Sequence, residues 1–177
     1  KWRSIGLITS DKSTLSKTTI TSCSKTNTLT TNIATIDSPR QLTIRLKEIL
    51  ADSDLLLAQP DSSIYNSKTV KNILLTSYRL RKPVIGFSKN FSKAGALASI
   101  YSTPTQIADT ATSIIDNYIT SGNSFSRKEN YPDDFEISIN RQVFRALDMD
   151  LPDIEKLKDE IEASANHLSA GRKGSPK

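Results

Sequence analysis

Short polar side chains follow each apolar segment that the sequence predicts to be a buried strand. Hydroxyl, carboxylate and amide groups of this kind can hold a small polar molecule through a few fixed hydrogen bonds. The same residue types cap the helices that follow strands, so each residue alone is as readily a helix cap as a ligand contact. The strand ends are Ser10-Asp11, Asp37-Ser38, Gln59-Pro60-Asp61-Ser62-Ser63 and Ser88-Lys89-Asn90-Phe91, and Tyr65 and Phe91 add aromatic rings to them.

The composition removes several classes of chemistry. A single cysteine, Cys23, excludes an internal disulfide and a multi-cysteine metal site. A single histidine, His167, lies in a predicted terminal helix away from the strand ends, so neither a Ser-His-Asp hydrolase nor a histidine-rich metal site is predicted. We therefore expect a protein that is not an enzyme, with no catalytic residues, no metal and no cofactor.

The formal net charge of +5 does not by itself indicate a nucleic-acid partner. Three of the cations lie in the C-terminal GRKGSPK segment, and Arg79, Arg81 and Lys82 close a predicted helix, where cations favour the negative end of the helix dipole. No basic stripe interleaved with aromatic residues appears, so nucleic-acid binding is not predicted. The longest apolar run, 55–58, is too short to span a membrane, and no signal peptide is predicted from Lys1 onward.

Hydrophobic periodicity gives these strand ends a common framework. Strands are predicted at 4–10, 30–37, 54–61, 84–87 and 96–102, helices at 13–28, 40–54, 66–82 and 105–118, and a loop at 88–95. This alternation predicts an α/β fold, a parallel sheet with helices on both faces in a flavodoxin-like or Rossmann-like three-layer sandwich. The residues predicted to face inward from the last three helices include Ile44, Leu80, Ile107, Ala111, Ile114, Ile115 and Tyr118.

The chain divides into three parts by composition and pattern. Residues 1–122 are predicted to form the α/β lobe. Residues 123–165 are predicted to be a polar connector, an edge strand near 135–140 and C-terminal helices that pack on the lobe or cross from it. Residues 166–177 are predicted to be a flexible basic tail.

A phosphorylatable receiver domain shares this predicted layout. Asp61 and Ser88 fit two of its positions, but Asp11 has no acidic neighbour and the ASIYSTP segment ends without a lysine for the phosphoryl group. One carboxylate is a poor site for a hard cation such as Mg²⁺. A degenerate receiver-like or sensor module, which acts through protein contacts, stays as the alternative.

Four motifs in a fixed order resemble a known family. They are Pro60-Asp61-Ser62 with Ile64, the KPVIG segment at 82–86, KAGALAS at 93–99 and ISINRQVFRALDMDLP at 137–152. Over roughly residues 4–155 the chain resembles the C-terminal lobe of ABC-transporter substrate-binding proteins. These belong to the periplasmic-binding-protein type I class, and the similar members include tryptophan- and tyrosine-binding proteins.

The resemblance implies a non-catalytic solute-binding role in ABC-type import or in a related sensor. It places the protein in the periplasm or elsewhere outside the cytoplasm, with an ABC permease or sensor as partner. The implied solute is a small polar or amino-acid-like molecule bound in a cleft between two lobes. Asp61 would pair with an amine or hydroxyl, Phe91 would cover an apolar part, Ser10 and Ser88 would donate to a carboxylate, and Gly95 would allow close backbone approach. The candidate ligand contacts are Ser10, Asp11, Asp61, Ser62, Ser88, Phe91, Gly95 and Ala96.

Overall fold

The computed structural model describes residues 2–11, 13, 29–122, 132 and 134–171. The helix predicted within 13–28, which contains Cys23, lies outside the described residues except for Ser13. Most of the predicted connector and the last six residues of the predicted tail, 172–177, also lie outside them.

The described residues form one six-stranded sheet in the order β2-β1-β3-β4-β5-β6. The strands β1 to β5 pair in parallel, and β6 pairs with β5 in the antiparallel direction at one edge. The predicted parallel α/β sheet is therefore confirmed. The strands are β1 (Ser4–Ser10), β2 (Thr30–Ile36), β3 (Leu55–Leu57), β4 (Val84–Gly86), β5 (Ala98–Tyr101) and β6 (Glu136–Ile139).

Within the described residues, six α-helices connect or follow these strands. They are α1 (Leu42–Ala51, preceded by a 3₁₀ turn at Pro39–Gln41), α2 (Val70–Arg79), α3 (Lys89–Ala94), α4 (Pro104–Thr120), α5 (Arg141–Ala146) and α6 (Ile154–Gly171). The helices α1, α2 and α3 pack on one face of the sheet in a core that includes Leu46, Leu50, Ile73 and Phe91. On the other face, α5 contributes Phe144 and Leu147 to a smaller core with Leu97. Helices thus cover both faces, as predicted.

The segment predicted as a loop at 88–95 is instead the helix α3, so that prediction is wrong. The Ser88 hydroxyl caps its first turn by accepting a hydrogen bond from the Phe91 backbone N–H at 3.4 Å. Gly95 ends the helix with φ of +125°, in the region that favours glycine. A Ser cap and a glycine stop enclose the six residues Lys89–Ala94, so the segment is a short helix rather than a binding loop.

The predicted inward faces are only partly correct. Leu42, Leu46, Ile49 and Leu50 of α1 are buried, but Ile44 is exposed. Leu80 lies just beyond α2 and is also exposed. In α4 no residue is buried, and the stripe predicted to face inward includes the exposed Ile107 and Ile115. Periodicity shows that a helix has an apolar face, but it does not show which surface covers that face.

Candidate functional site

The strand order reverses between β1 and β3. From β1 the chain moves to β2 on one side, whereas β3, β4 and β5 follow one another on the other side. Connections that leave β1 and β3 therefore diverge, and in open α/β sheets ligands bind in the crevice that this divergence opens beyond the carboxyl ends of the strands. The residues at these two ends are Ser10 and the segment from Gln59 to Ser63.

Asp61 lies at the centre of a hydrogen-bond network across this reversal. The Ser10 hydroxyl donates to Asp61 Oδ2 at 2.6 Å. On the other carboxylate oxygen, the Ser63 backbone N–H donates to Oδ1 at 3.0 Å, and the Ser63 hydroxyl lies 2.5 Å from the same atom. The two serine hydroxyls are 3.0 Å apart. The ends of β1 and β3 are thus joined through one carboxylate.

The Asp61 carboxylate is ionised at neutral pH although its side chain is largely buried. Burial alone raises the pKa of a carboxyl group, but hydrogen bonds from Ser10 and Ser63 outweigh burial and lower the pKa of Asp61 below its ordinary value. Both of these partners are neutral residues. The site therefore holds an oriented negative charge whose partners among the described residues carry no positive charge.

A second polar pair lies beside this carboxylate. Gln59 follows β3 and is almost fully buried, and its Oε1 accepts a hydrogen bond from the Ser13 hydroxyl at 3.2 Å. Its Nε2 is buried and has no hydrogen-bond partner within the part of the chain that the structure describes. Buried donors of this kind are ordinarily satisfied by protein, water or a ligand.

Three aromatic rings pack together close to the site. The Tyr65 ring meets Phe87 and Phe91 edge-on, with centroids 6.1 and 5.8 Å apart, and the Phe87 and Phe91 centroids lie 4.8 Å apart. Burial and the nearby Asp61 charge raise the pKa of the Tyr65 hydroxyl, so that group stays protonated. This hydroxyl is buried and has no hydrogen-bond partner among the described residues. The cluster anchors the segment 61–65 to the hydrophobic core through the Tyr65 ring.

The structure brings some of the predicted site residues to one edge of the sheet. Ser10 and Asp61 are in direct contact, while Ser62 and Asp11 are exposed in the turns beside them. Ser88 lies at the same edge, at the carboxyl end of β4, where its hydroxyl serves as the cap of α3. These residues share the edge that the sequence predicted for them, and their role in ligand binding remains a prediction.

The structure places the remaining predicted residues elsewhere. Phe91 is buried in the aromatic cluster rather than standing over the crevice as a lid. Gly95 and Ala96 come just before Leu97, whose backbone N–H donates to the carbonyl of Val84, the first residue of β4. They therefore lie at the opposite end of the sheet, near the amino ends of the strands, because α3 runs back along the sheet. We do not place Gly95 or Ala96 in the candidate site.

Three members of the network were absent from the predicted contacts: Ser63, Gln59 and Ser13. The spacing of Asp61 and Ser63 carries a recognisable signal, because an aspartate commonly accepts a hydrogen bond from the backbone N–H two residues later. The Ser13–Gln59 contact joins residues 46 positions apart, so no local pattern could have shown it.

The described residues contain neither a candidate metal site nor a helix that could span a membrane. No group of three or more His, Cys, Asp or Glu side chains there could hold a metal ion. Among the same residues, no helix combines the length and apolar character that a membrane crossing requires.

Fold and site together define a doubly wound, mostly parallel α/β lobe with an ionised carboxylate at its strand reversal. Solved structures with this fold include a ligand-free substrate-binding protein with adhesive properties, CD0873, from Clostridium difficile (TM-score 0.64, 19% identity). Another is an ABC domain from Streptococcus pneumonia in complex with L-Trp (TM-score 0.67, 15% identity). A third is a conserved domain protein from Vibrio cholerae (TM-score 0.64, 16% identity).

The chain spans about half the length of these structures. The matches cover 86% of this chain and 52% of the C. difficile protein, and 89% of this chain and 54% of each of the other two. No protein-family model matches the sequence, and no curated protein matches it. The resemblance to substrate-binding proteins drawn from the sequence is therefore confirmed for the fold.

Proposed function

We propose that this chain is a non-catalytic solute-binding lobe and that the crevice between the ends of β1 and β3 is its recognition site. Asp61 anchors an ammonium or hydroxyl group of a small polar, amino-acid-like solute. The observation that carries the proposal is the Ser10–Asp61 hydrogen bond, which fixes an ionised carboxylate at the strand reversal.

The polar partners of this carboxylate support the assignment. Ser10 and Ser63 hold both of its oxygens, so the charge is oriented before a ligand arrives. An oriented group loses little conformational freedom on binding, which favours affinity.

The exposed face of α4 supports a second lobe as the other wall of the crevice. Ile107, Ile115 and Ile119 are 50%, 56% and 65% exposed, and with Ala111 they recur every four residues along the helix. An apolar stripe of this length is typical of a helix that is covered in the complete assembly. The similar solved structures, of which this chain covers about half, are consistent with such an arrangement.

Within this proposal the lobe serves an ABC-type import system or a related sensor outside the cytoplasm. Closure of two lobes around the solute gives a bound state that a permease or sensor partner recognises, and the solute shifts the population toward that state. No covalent step is involved.

The test is an NMR titration of the chain with a panel of amino acids that includes L-Trp. Amide signals of Ser10, Asp61 and Ser63 should shift with at least one member, and N-acetylation of that amino acid should weaken the effect because the ammonium is lost. Asp61→Asn should abolish the shifts, whereas Asp37→Asn, at the end of β2, should leave them unchanged. No shift at these amides up to about 10 mM, a decade beyond the millimolar end of the affinity scale, would overturn the proposal.

A further inference from the structure

No described strand pairs with the outer edge of β2. Among the described residues β2 pairs only with β1, so half of its backbone N–H and C=O groups point away from the sheet. Its sequence, TTNIATI, has no charged residue and no proline over seven positions. Natural proteins usually protect such edges with lysine, proline, a bulge or a covering segment, because an open edge pairs with other chains.

A groove runs beside this edge. It has a volume of about 360 Å³ and lies between β2 and α1, lined by Ile33, Ala34, Thr35, Arg45, Glu48, Ile49 and Asp52. The opposite flank of α1 faces α2, where Thr43 lies 3.4 Å from Asn72. The groove therefore opens outward, past β2. A hydrogen bond of 2.6 Å from Asn32 to the Asp52 carbonyl fixes the end of α1 over the strand.

The charged residues along the groove are one cation, Arg45, followed along α1 by two anions, Glu48 and Asp52. Arg45 is at the amino-terminal part of this wall and pairs with Glu48 at 2.9 Å, while Asp52 lies just beyond the last turn. Both members of the pair are about half exposed, so they remain accessible to a second charge. A wall with a cation at one end and an anion at the other is complementary to itself when reversed.

We propose that a second copy of this chain occupies the groove through antiparallel β2–β2 pairing about a two-fold axis. The two sheets become continuous, and the two α1 helices lie side by side in opposite directions. Arg45 of each copy then faces Asp52 of the other. A two-fold interface of this kind uses the same surface twice, so the self-complementary wall favours a second copy over an unrelated peptide.

The strand register agrees with this symmetry. With the axis at Ile33, that residue lies opposite its own equivalent, and Thr31 lies opposite Thr35. Aliphatic pairs and Thr–Thr pairs are favourable across antiparallel strands. The Ser10–Asp61 crevice lies at the carboxyl ends of the strands and stays open in each copy. The interface is therefore independent of the solute-binding proposal.

Sedimentation velocity over a concentration series tests the interface with a charge swap. We expect R45E and D52R each to raise the dimer Kd by about tenfold or more, because each places like charges opposite one another. An equimolar mixture of the two variants restores opposite charges at both contacts and should recover a heterodimer. K47E makes the same charge change on the other flank of α1 and should dimerise like the wild type. I33K, which places two cations together at the axis, should be monomeric with an unchanged circular dichroism spectrum.

Three results would overturn the proposal. The first is a wild-type chain that stays monomeric up to about 1 mM, the weak end of the affinity scale. The second is a dimer that persists in both I33K and R45E. The third is a dimer that K47E weakens as much as R45E does, or one that the mixture of R45E and D52R fails to restore.

Discussion

The Ser10 hydroxyl and the Asp61 carboxylate, 51 residues apart in sequence, are 2.6 Å apart in the structure. This contact links the ends of β1 and β3, where the strand order reverses. It also sets the charge state of the site, because a short hydrogen bond from a hydroxyl stabilises the ionised carboxylate. The pKa of Asp61 therefore depends on Ser10 and Ser63, two residues that carry no charge themselves.

Removing either serine should raise the pKa of Asp61. With the Ser10 or Ser63 hydroxyl gone, burial is opposed by fewer hydrogen bonds, and burial favours the neutral acid. Carbon-detected NMR titration of the Asp61 carboxyl group measures the pKa directly in Ser10→Ala and Ser63→Ala. Ser13→Ala is the matched control, because Ser13 contacts Gln59 instead and should leave the titration unchanged. An identical Asp61 titration in all three variants would contradict this account.

Asp54 should contribute to stability at neutral pH and lose that contribution in acid. Backbone N–H groups of Arg3 and Ser4 donate to its carboxylate at 2.7 and 2.9 Å and lower its pKa. A lowered native pKa stabilises the fold above the unfolded value of about 3.9, and the effect disappears as the pH falls through the native pKa.

Asp54→Asn should consequently be less stable than the wild type at pH 7, with a gap that closes as the pH falls below about 4. Urea unfolding at a series of pH values measures the free energy of unfolding of each protein. Asp109→Asn removes an exposed carboxylate from α4 and serves as the control, which should follow the wild type at each pH. A gap that is constant with pH would show that the loss is not linked to ionisation.

Gly86→Ala should destabilise the lobe by about 1 to 3 kcal/mol, the usual cost of overpacking a core. A Cβ atom at this position would lie 2.5 Å from Phe91 Cβ and 2.7 Å from Ser99 Oγ, so β4, α3 or β5 would have to move. Urea unfolding gives the free-energy change, and the exposed Ser62→Ala provides a reference within about 0.5 kcal/mol of the wild type. A stability equal to this reference would mean that the region can relax at little cost.

Asn140 should contribute more to the free energy of unfolding than an ordinary surface asparagine does. Its Oδ1 accepts from the backbone N–H groups of Gln142 and Val143 at the start of α5, and its Nδ2 donates to the Ser92 carbonyl at 2.8 Å. Loss of a helix cap costs about 0.5 to 2 kcal/mol, and here the Ser92 carbonyl also loses one of its two donors, the other being the Gly95 backbone N–H.

We expect Asn140→Ala to lower the free energy of unfolding by about 1 to 2 kcal/mol. Asn72→Ala, an exposed substitution of the same type on α2, should change it by less than about 0.5 kcal/mol. Chemical unfolding of the two variants beside the wild type makes the comparison. Equal losses would show that the contacts of Asn140 with α5 and Ser92 add nothing to stability.

The sequence was sufficient to predict the parallel sheet and the position of Ser10 and Asp61 at the same end of it. Both follow from one rule, because parallel strands place their carboxyl ends at a common edge whatever the connections between them. The sequence was insufficient to predict burial and position where these depend on contacts between residues distant in sequence. Ile107 and Ile115 have helical spacing, yet the described residues do not bury them. Gly95 suited a binding loop, but the six-residue helix before it carries this glycine to the opposite edge.

The antiparallel pair β5 and β6 has a consequence for how the chain can be rebuilt. Tyr101, the last residue of β5, pairs with Glu136, the first residue of β6, and the Ser102 hydroxyl donates to the Asp134 carbonyl at 2.9 Å. The excursion that contains α4 therefore departs from and returns to adjacent points. We expect that a short turn in its place would leave a plain hairpin, and that a longer insertion grafted there would not disturb the ladder. The connection between β5 and β6 is therefore the place in the lobe where we expect the chain to tolerate a change of length.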